Sequence, residues 1–378
     1  MPKFSVWRNR KPLFRVSFVL ADRGGFKLLP GSAENSANTN SKPHISMTRN
    51  NIFFLIATPV LFFVFVKLLS FSSFVTMPED EFVQRREAGY GAFALPVPEN
   101  LNFAGEPVPV DNFEVLERFD RELLVNTYWQ SQTLQFFKRA YRWFPVIEPI
   151  LAEQGVPDDF KYLALIESGL MNVVSPAGAA GYWQILQATG RELGLEVTSE
   201  IDERYHVERS TRAACRFLKE AYARYNSWTL AAASYNMGRA GLNRQMTNQQ
   251  ANNYYDLWLN EETSRYVFRI VAIKTIFEDP QGHGFFFREQ DLYPPLQYYT
   301  VQVDTTINDL VAFARHHQIT YKELRVLNPW LRSTSLPNRS RKNYEIKITK
   351  ESLFGRQFPE VADPDFETTD MPARETDL

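Results

Sequence analysis

Between Pro157 and Gly169 the chain spells a helix that is apolar on nearly every face yet carries Glu167 near its end. Pro157 suits the first helical position, where its missing N–H is not needed. Asp158 and Asp159 follow in the first turn, where negative charge meets the positive end of the helix dipole. Phe160, Leu163, Ala164 and Glu167 fall on one face, at i, i+3, i+4 and i+7. Tyr162, Leu165 and Ile166 make the remaining faces apolar, so the helix is expected inside a domain. Gly169 can end it and leave Glu167 at the lip of a cleft. A carboxylate placed there loses hydration, and its pKa rises. From the helix alone, the simpler reading is a buried glutamate paired with an arginine or lysine. The other is a general acid, protonated near neutral pH.

The residues downstream change that balance. Ser175 to Gly181 holds two glycines and three alanines, small residues that let a backbone approach a ligand or another backbone closely. Gly181-Tyr182-Trp183-Gln184 follows. A third block, Ala233-Ser234-Tyr235-Asn236-Met237-Gly238, closes the apolar stretch from Trp228, and Gly238 fits a helix C-terminus. A fourth, Glu262-Thr263-Ser264-Arg265-Tyr266-Val267, puts Glu262 and Tyr266 on one helix face at i and i+4. Each block is weak by itself; a packing turn, a core tryptophan or a Tyr-Asn helix cap would explain it equally well. Their order and spacing form the signal.

Glu167-Ser168, Ser175, Gly181 to Gln184, Tyr235-Asn236 and the Glu-Thr-x-x-Tyr-Val run from Glu262 resemble the family 1 lytic transglycosylase domain, of the soluble lytic transglycosylase type. The resemblance implies a mainly α protein with a lysozyme-like helical catalytic domain. It implies that Glu167 is the catalytic acid, that Ser175 hydrogen-bonds near it and that Gln184 helps hold the glycan. Tyr235, Asn236 and Tyr266 would line the substrate cleft. Ser168, Trp183 and Glu262 would support the site, and Trp183 could instead offer an aromatic face to a sugar. Two departures stand out: Ser234 replaces the usual alanine, and the run between Glu167 and Ser175 is one residue shorter than the common spacing, so this loop is expected to take its own path.

Hydrolytic glycosidases usually need two carboxylates. The blocks offer no obvious second one, and Glu192 and Glu196 lie on what reads as solvated sequence. A single acid fits the scheme that the resemblance implies. Glu167 protonates the oxygen between N-acetylmuramic acid and N-acetylglucosamine, and the substrate's 2-acetamido group stabilises C1. The same carboxylate then takes the proton of the 6-hydroxyl, which closes on C1 to a 1,6-anhydromuramoyl end. No cofactor is implied. His44, His206, His283, His316 and His317 form no metal-ligand pattern.

Length allows about two domains. The net charge of −2 shows no nucleic-acid footprint. The lone Cys215 cannot form an internal disulfide and reads as a small buried hydrophobe in a helix over 211–225. Residues 1–46, with eight Lys/Arg against Asp22 and Glu34, read as an over-extended start before Met47. Ile52 to Val66 and Leu68 to Val75 within 47–76 could span a bilayer as a signal anchor, with Arg49 before and Glu79, Asp80 and Glu81 after. A cleaved signal peptide is the alternative. Either would put the bulk of the chain in the periplasm or cell envelope, with peptidoglycan strands as partner. Proline-bearing residues 77–112 read as a linker. Residues 113–290 read as the catalytic domain, with a helical lead-in carried by Phe113, Leu116, Phe119, Leu123 and Leu124.

A second module spans 298–349. Tyr299 to Val303 alternates like a strand, Thr306 to Ala314 reads as a helix, and Thr320-Tyr321-Lys322-Glu323 is a capping-box signature for another ending near Asn328-Pro329. Tyr344 to Ile348 reads as the returning strand. This βααβ order resembles a LysM domain, a glycan-binding module, although Asp304-Thr305 replaces the usual Gly-Asp pair. Residues 350–378 read as an acidic tail, with seven Asp/Glu against Arg374 from residue 359 on.

Overall fold

The structure, a computed structural model, describes residues 78–87 and 91–354. The extended start, the signal anchor and most of the acidic tail lie outside them. Among the described residues no helix is long and apolar enough to cross a membrane.

The described chain is mainly α. After a short helix α1 (Glu79–Glu87), a hairpin of β1 (Asn102–Phe103) and β2 (Glu106–Pro107) precedes two long helices, α2 (Phe113–Tyr128) and α3 (Gln130–Gln154). Then come α4 (Phe160–Ser168), α5 (Gln187–Glu192), α6 (Val207–Tyr225), α7 (Trp228–Met237), α8 (Arg239–Gln249) and α9 (Glu261–Glu278). α9 is the hub. Tyr266, Val267, Ile270, Val271, Ala272, Ile273 and Ile276 are all buried, and the helix packs on α2, α4 and α7. A helix that is apolar nearly all round must be enclosed by its neighbours, and α4 and α9 both obey this rule.

α4 begins later than Pro157. Residues 157–159 form a tight turn, with Phe160 N–H donating to the Pro157 carbonyl (3.1 Å), and the regular helix starts at Phe160. The two aspartates of that turn do more than face the dipole. Asp158 pairs with the buried Lys161 (2.6 Å), and Asp159 pairs with Lys274 of α9 (2.8 Å). The first pair closes the start of α4 on itself, and the second ties it to α9.

The segment read as a linker is folded over its second half. Leu101, Phe103 and Val108 are buried, and Phe103 meets the Phe160 ring edge-on at 5.2 Å. Burying a phenylalanine is worth about 2–3 kcal/mol, enough to hold a proline-rich stretch against the domain. Glu106 fixes it further. Its carboxylate accepts from the N–H of Trp228 (2.5 Å) and Thr229 (2.9 Å) and from the hydroxyls of Ser227 (2.9 Å) and Thr229 (2.6 Å), so it caps α7 from 121 positions away. In the lead-in helix α2, Phe119 and Leu123 are fully buried as expected. Phe113 and Leu116 are instead exposed, and in that first turn Val115 is the residue that faces the core.

The C-terminal module pairs β3 (Tyr298–Val303) antiparallel with β4 (Tyr344–Thr349), and α10 (Leu310–His316) and α11 (Tyr321–Leu327) lie between them in sequence. α10 starts at Leu310 rather than Thr306, capped by Asp309. The capping box at α11 is formed: Glu323 N–H donates to the Thr320 hydroxyl (3.1 Å), and Thr320 N–H donates to the Glu323 carboxylate (2.8 Å).

This module does not hang free. Its core includes Ala180, Ile201 and Tyr205 of the helical domain together with Phe313, Trp330 and Leu331. Backbone bonds join Asp202 N–H to the Trp330 carbonyl (2.9 Å) and Arg332 N–H to the Glu200 carbonyl (2.7 Å). Lys342 reaches Glu196 (2.6 Å) and Glu203 (3.0 Å), so Glu196 is a junction residue rather than a solvated one. Cys215 is buried, and burial pushes its thiol up to about 12, which leaves it unreactive.

Candidate functional site

Glu167 sits in the last turn of α4, and Gly169 ends that helix in the left-handed conformation (φ 60°, ψ 28°). The positive φ favours glycine there, and a Cβ would also crowd the Arg139 guanidinium and the Phe136 ring. Arg139 also donates to the Gly169 carbonyl (3.0 Å), so the end of the helix is held in place.

The Tyr266 hydroxyl of α9 donates to Oε1 of Glu167. Among the described residues no Lys or Arg lies within ion-pair distance of Glu167, so the paired-glutamate alternative is not what the fold builds. Desolvation pushes the Glu167 carboxyl up to about 7, against the downward pull of the Tyr266 hydroxyl and the Arg269 charge, and nearby Glu262 adds to the rise. Burial also drives the Tyr266 and Tyr235 hydroxyls well above the usual phenol range, reinforced by the Glu167 charge. Both are therefore neutral donors at physiological pH. Glu167, Tyr235 and Tyr266 thus share one electrostatic neighbourhood.

Around this trio the other candidate residues mostly act as fasteners. Ser168 is buried and donates to the Tyr182 carbonyl (2.7 Å), locking the helix end to the following loop. Tyr235 donates to the Trp183 carbonyl (2.7 Å), so the loop is held from a second side. Asn236 bridges α7 and α9: its amide donates to Glu262 (3.1 Å) and its oxygen accepts from the Thr263 hydroxyl (2.7 Å).

The loop itself folds compactly. The Ser175 hydroxyl accepts from the Ala179 N–H (3.1 Å) inside the loop, rather than bonding to Glu167. Gln184 has a left-handed backbone (φ 45°), and its amide donates to the carbonyls of Val173 (3.0 Å) and Gly181 (2.8 Å). Gly181 is indispensable, because a Cβ at its position would collide with the Arg204 carbonyl. Trp183 is fully buried and donates to the Thr211 hydroxyl (2.8 Å); it is a core residue and offers no face to a sugar. Its indole is enclosed because the loop turns it inward against α6.

Sequence reading missed Arg204. This buried arginine pairs with Asp202 (2.7 Å) and donates to the carbonyls of Gly178 (2.9 Å) and Ile185 (3.1 Å), clamping the loop from beneath. An isolated arginine in a polar stretch carries no motif that would announce such a role. A cavity of about 260 Å³ lies elsewhere, at the junction with the C-terminal module. It is lined among others by Trp143, Tyr182, Glu208, Trp330 and Lys347, and Glu167 is not part of it.

One partly exposed, protonatable carboxyl is thus held by a neutral phenol at the end of an apolar helix, beside a tightly fastened small-residue loop. Residues 145–257 match the family described as the transglycosylase SLT domain, and residues 299–352 match the soluble lytic transglycosylase C-terminal LysM-like domain. The chain therefore carries an SLT region, helical in this structure, followed by a LysM-like module. It is homologous to membrane-bound lytic murein transglycosylase D of Escherichia coli, being 29% identical over 180 residues, or 46% of this chain and 39% of that protein. The same figures hold for the K12 and O6:H1 strains. The chain thus spans well under half the length of these curated relatives. Among solved structures it is similar to the 70 kDa soluble lytic transglycosylase SLT70 of Escherichia coli (14% identity, TM-score 0.34, 62% of this chain and 45% of that one). It is also similar to lytic transglycosylase Slt of Pseudomonas aeruginosa (16% identity, TM-score 0.32, 40% and 26%).

Proposed function

We propose that this protein is a peptidoglycan lytic transglycosylase that cleaves the β-1,4 bond between N-acetylmuramic acid and N-acetylglucosamine without consuming water. The observation that carries this reading is the placement of Glu167 near the end of a buried helix, with the Tyr266 hydroxyl donating to its carboxylate. With its pKa pushed up to about 7, a large share of the carboxyl is protonated at neutral pH, as an acid to a glycosidic oxygen must be. After protonating the leaving oxygen, the carboxylate recovers a proton from the muramic acid 6-hydroxyl, and that oxygen closes on C1. The proton count balances within the substrate, so one carboxyl serves both steps. Tyr266 orients it and stabilises its charged form between them. Glu262, held by Asn236, keeps the local field negative, which favours the electron-poor C1 of the transition state. Tyr235, Gln184 and Ser175 act by fixing the cleft wall. The hydrophobic segment within 47–76 would hold the enzyme at a membrane, with the described part in the cell envelope.

Digestion of purified peptidoglycan by the chain from residue 77 onward, beside Glu167→Gln, tests this reading by mass spectrometry. The expected products are anhydromuropeptides, absent with Glu167→Gln. Reducing-end products heavier by one water would make the enzyme a lysozyme-like hydrolase. No products from either version would make the protein a wall-binding one.

A further inference from the structure

Trp258 is 79% exposed, the most exposed of the large apolar side chains described. Two features show that this is a built arrangement rather than a loose loop. Residues 257–260 run extended between a 3-10 turn at Tyr254–Asp256 and α9, so their side chains alternate. Leu257 is buried and Leu259 packs on the core, which leaves Trp258 facing outward. The backbone of Trp258 is also clamped from both sides by a single side chain. Its N–H donates to the Gln249 Oε1 (2.7 Å), and its carbonyl accepts from the Gln249 Nε2 (2.9 Å). Gln249 closes α8, so the backbone that carries the indole is held to a helix end on one side and to the start of α9 on the other.

An indole left in water forgoes a sizeable burial free energy, and pinning its backbone denies it the collapse that would recover that energy. An exposed aromatic ring on a fixed stretch of backbone suits a ligand that presents a flat apolar face while keeping its polar groups in water. The C–H face of a pyranose ring has that character. Position favours the glycan as well. Asn260, two residues on, caps α9; Glu262 in its first turn bonds Asn236; and Tyr266 one turn later holds Glu167. The backbone path from Trp258 to Tyr266 spans at most about 18 Å, a few sugar units along a strand.

We propose that Trp258 is a stacking platform for a pyranose ring of the glycan strand, at a subsite several sugars from the bond cleaved. The assignment rests on the reading of the Glu167 site as a glycan-cleaving one. It makes Trp258 a binding residue that distinguishes long strands from short ones.

The test uses the full chain in detergent, with soluble uncrosslinked glycan strands of graded length as probe. Trp258→Ala is expected to raise KM for long strands roughly tenfold, with a smaller effect on tetrasaccharides and with the loss in KM rather than kcat. Trp258→Phe should recover most of it, and Gln249→Leu, which frees the Trp258 backbone, should fall between. In a Glu167→Gln background the same ordering should appear in strand binding by calorimetry. If the parent cleaves long strands and Trp258→Ala does so with the same KM, the platform is overturned and the reading of the site survives. If Trp258→Ala matches the parent on strands but loses retention on phosphatidylglycerol vesicles, the indole is a membrane contact and the proposal fails. If the parent neither binds nor cleaves strands, the reading of the site fails and the platform fails with it.

Discussion

The Tyr266 hydroxyl donates to the Glu167 carboxylate across 99 positions of sequence, joining the end of α4 to the second turn of α9. This bond explains how a carboxyl on an apolar helix can cycle between two charge states. Burial favours the protonated form, and the phenol keeps the charged form within reach. Removing the phenol therefore changes both the strength and the aim of the acid.

Tyr266→Phe should move the Glu167 pKa upward from about 7, because the hydrogen bond that favours the charged form is lost while the desolvation remains. The alkaline limb of kcat/KM on peptidoglycan should shift to higher pH, and turnover at neutral pH should fall roughly tenfold or more through lost orientation. A pH–rate profile checks this. An alkaline limb that stays in place would assign it to a group other than Glu167.

Glu167→Gln should flatten part of the pH dependence of stability. The folded carboxyl has a raised pKa, so its favourable protonated state is fully present below the unfolded value of about 4.5 and is lost as pH rises through about 7. For this partly exposed group the loss is of order 2–3 kcal/mol. Urea melts at pH 4.5 and pH 8 should show the parent losing this increment and Glu167→Gln not losing it. Equal losses in the two proteins would place the pH dependence elsewhere.

Glu106→Ala should destabilise the helical domain by about 1–2 kcal/mol, because α7 loses a carboxylate that accepts from two of its first N–H groups. Ser227 also caps α7, through Leu230 N–H, so the helix should persist. A reduced denaturation midpoint with unchanged m-value is the expected result. An unaltered midpoint would make the hairpin contact incidental.

Removal of residues 298–354 should cost several kcal/mol, about 2 kcal/mol of it from exposing Ile201 alone. Glu208 adds to the cost. Although burial works to raise it, His206 and Lys347 hold it down to about 2, and removal of the module takes Lys347 away. The intact chain should accordingly melt in one calorimetric transition over both domains. Two well-separated transitions would mean that the junction contributes little.

The candidate site was legible wherever a local rule governed it. Apolar periodicity, a terminal glycine and one carboxylate identify α4 and the burial of Glu167, though the helix alone favoured a paired glutamate, and the capping box at Thr320 and Glu323 follows from four adjacent residues. Trp183 shows where such reading stops. Its surroundings in sequence suit a sugar platform as well as a core residue, and only the direction in which the loop turns it decides. Ser175 and Gln184 likewise spend their polar groups on the loop, a choice set by chain path rather than by residue type.

By itself, then, the sequence determined the helix that carries Glu167 and the element order of the C-terminal module, because helix periodicity, caps and strand alternation are local, and it pointed to the two domain types through the order and spacing of several short blocks. The tertiary structure alone decided that Tyr266 meets Glu167, that Arg204 clamps the loop, that Glu106 caps α7 and that the C-terminal module shares a core with the helical domain. These contacts join residues tens to well over a hundred positions apart. Their formation depends on which buried faces meet and how closely they fit, and no local pattern of residues encodes that.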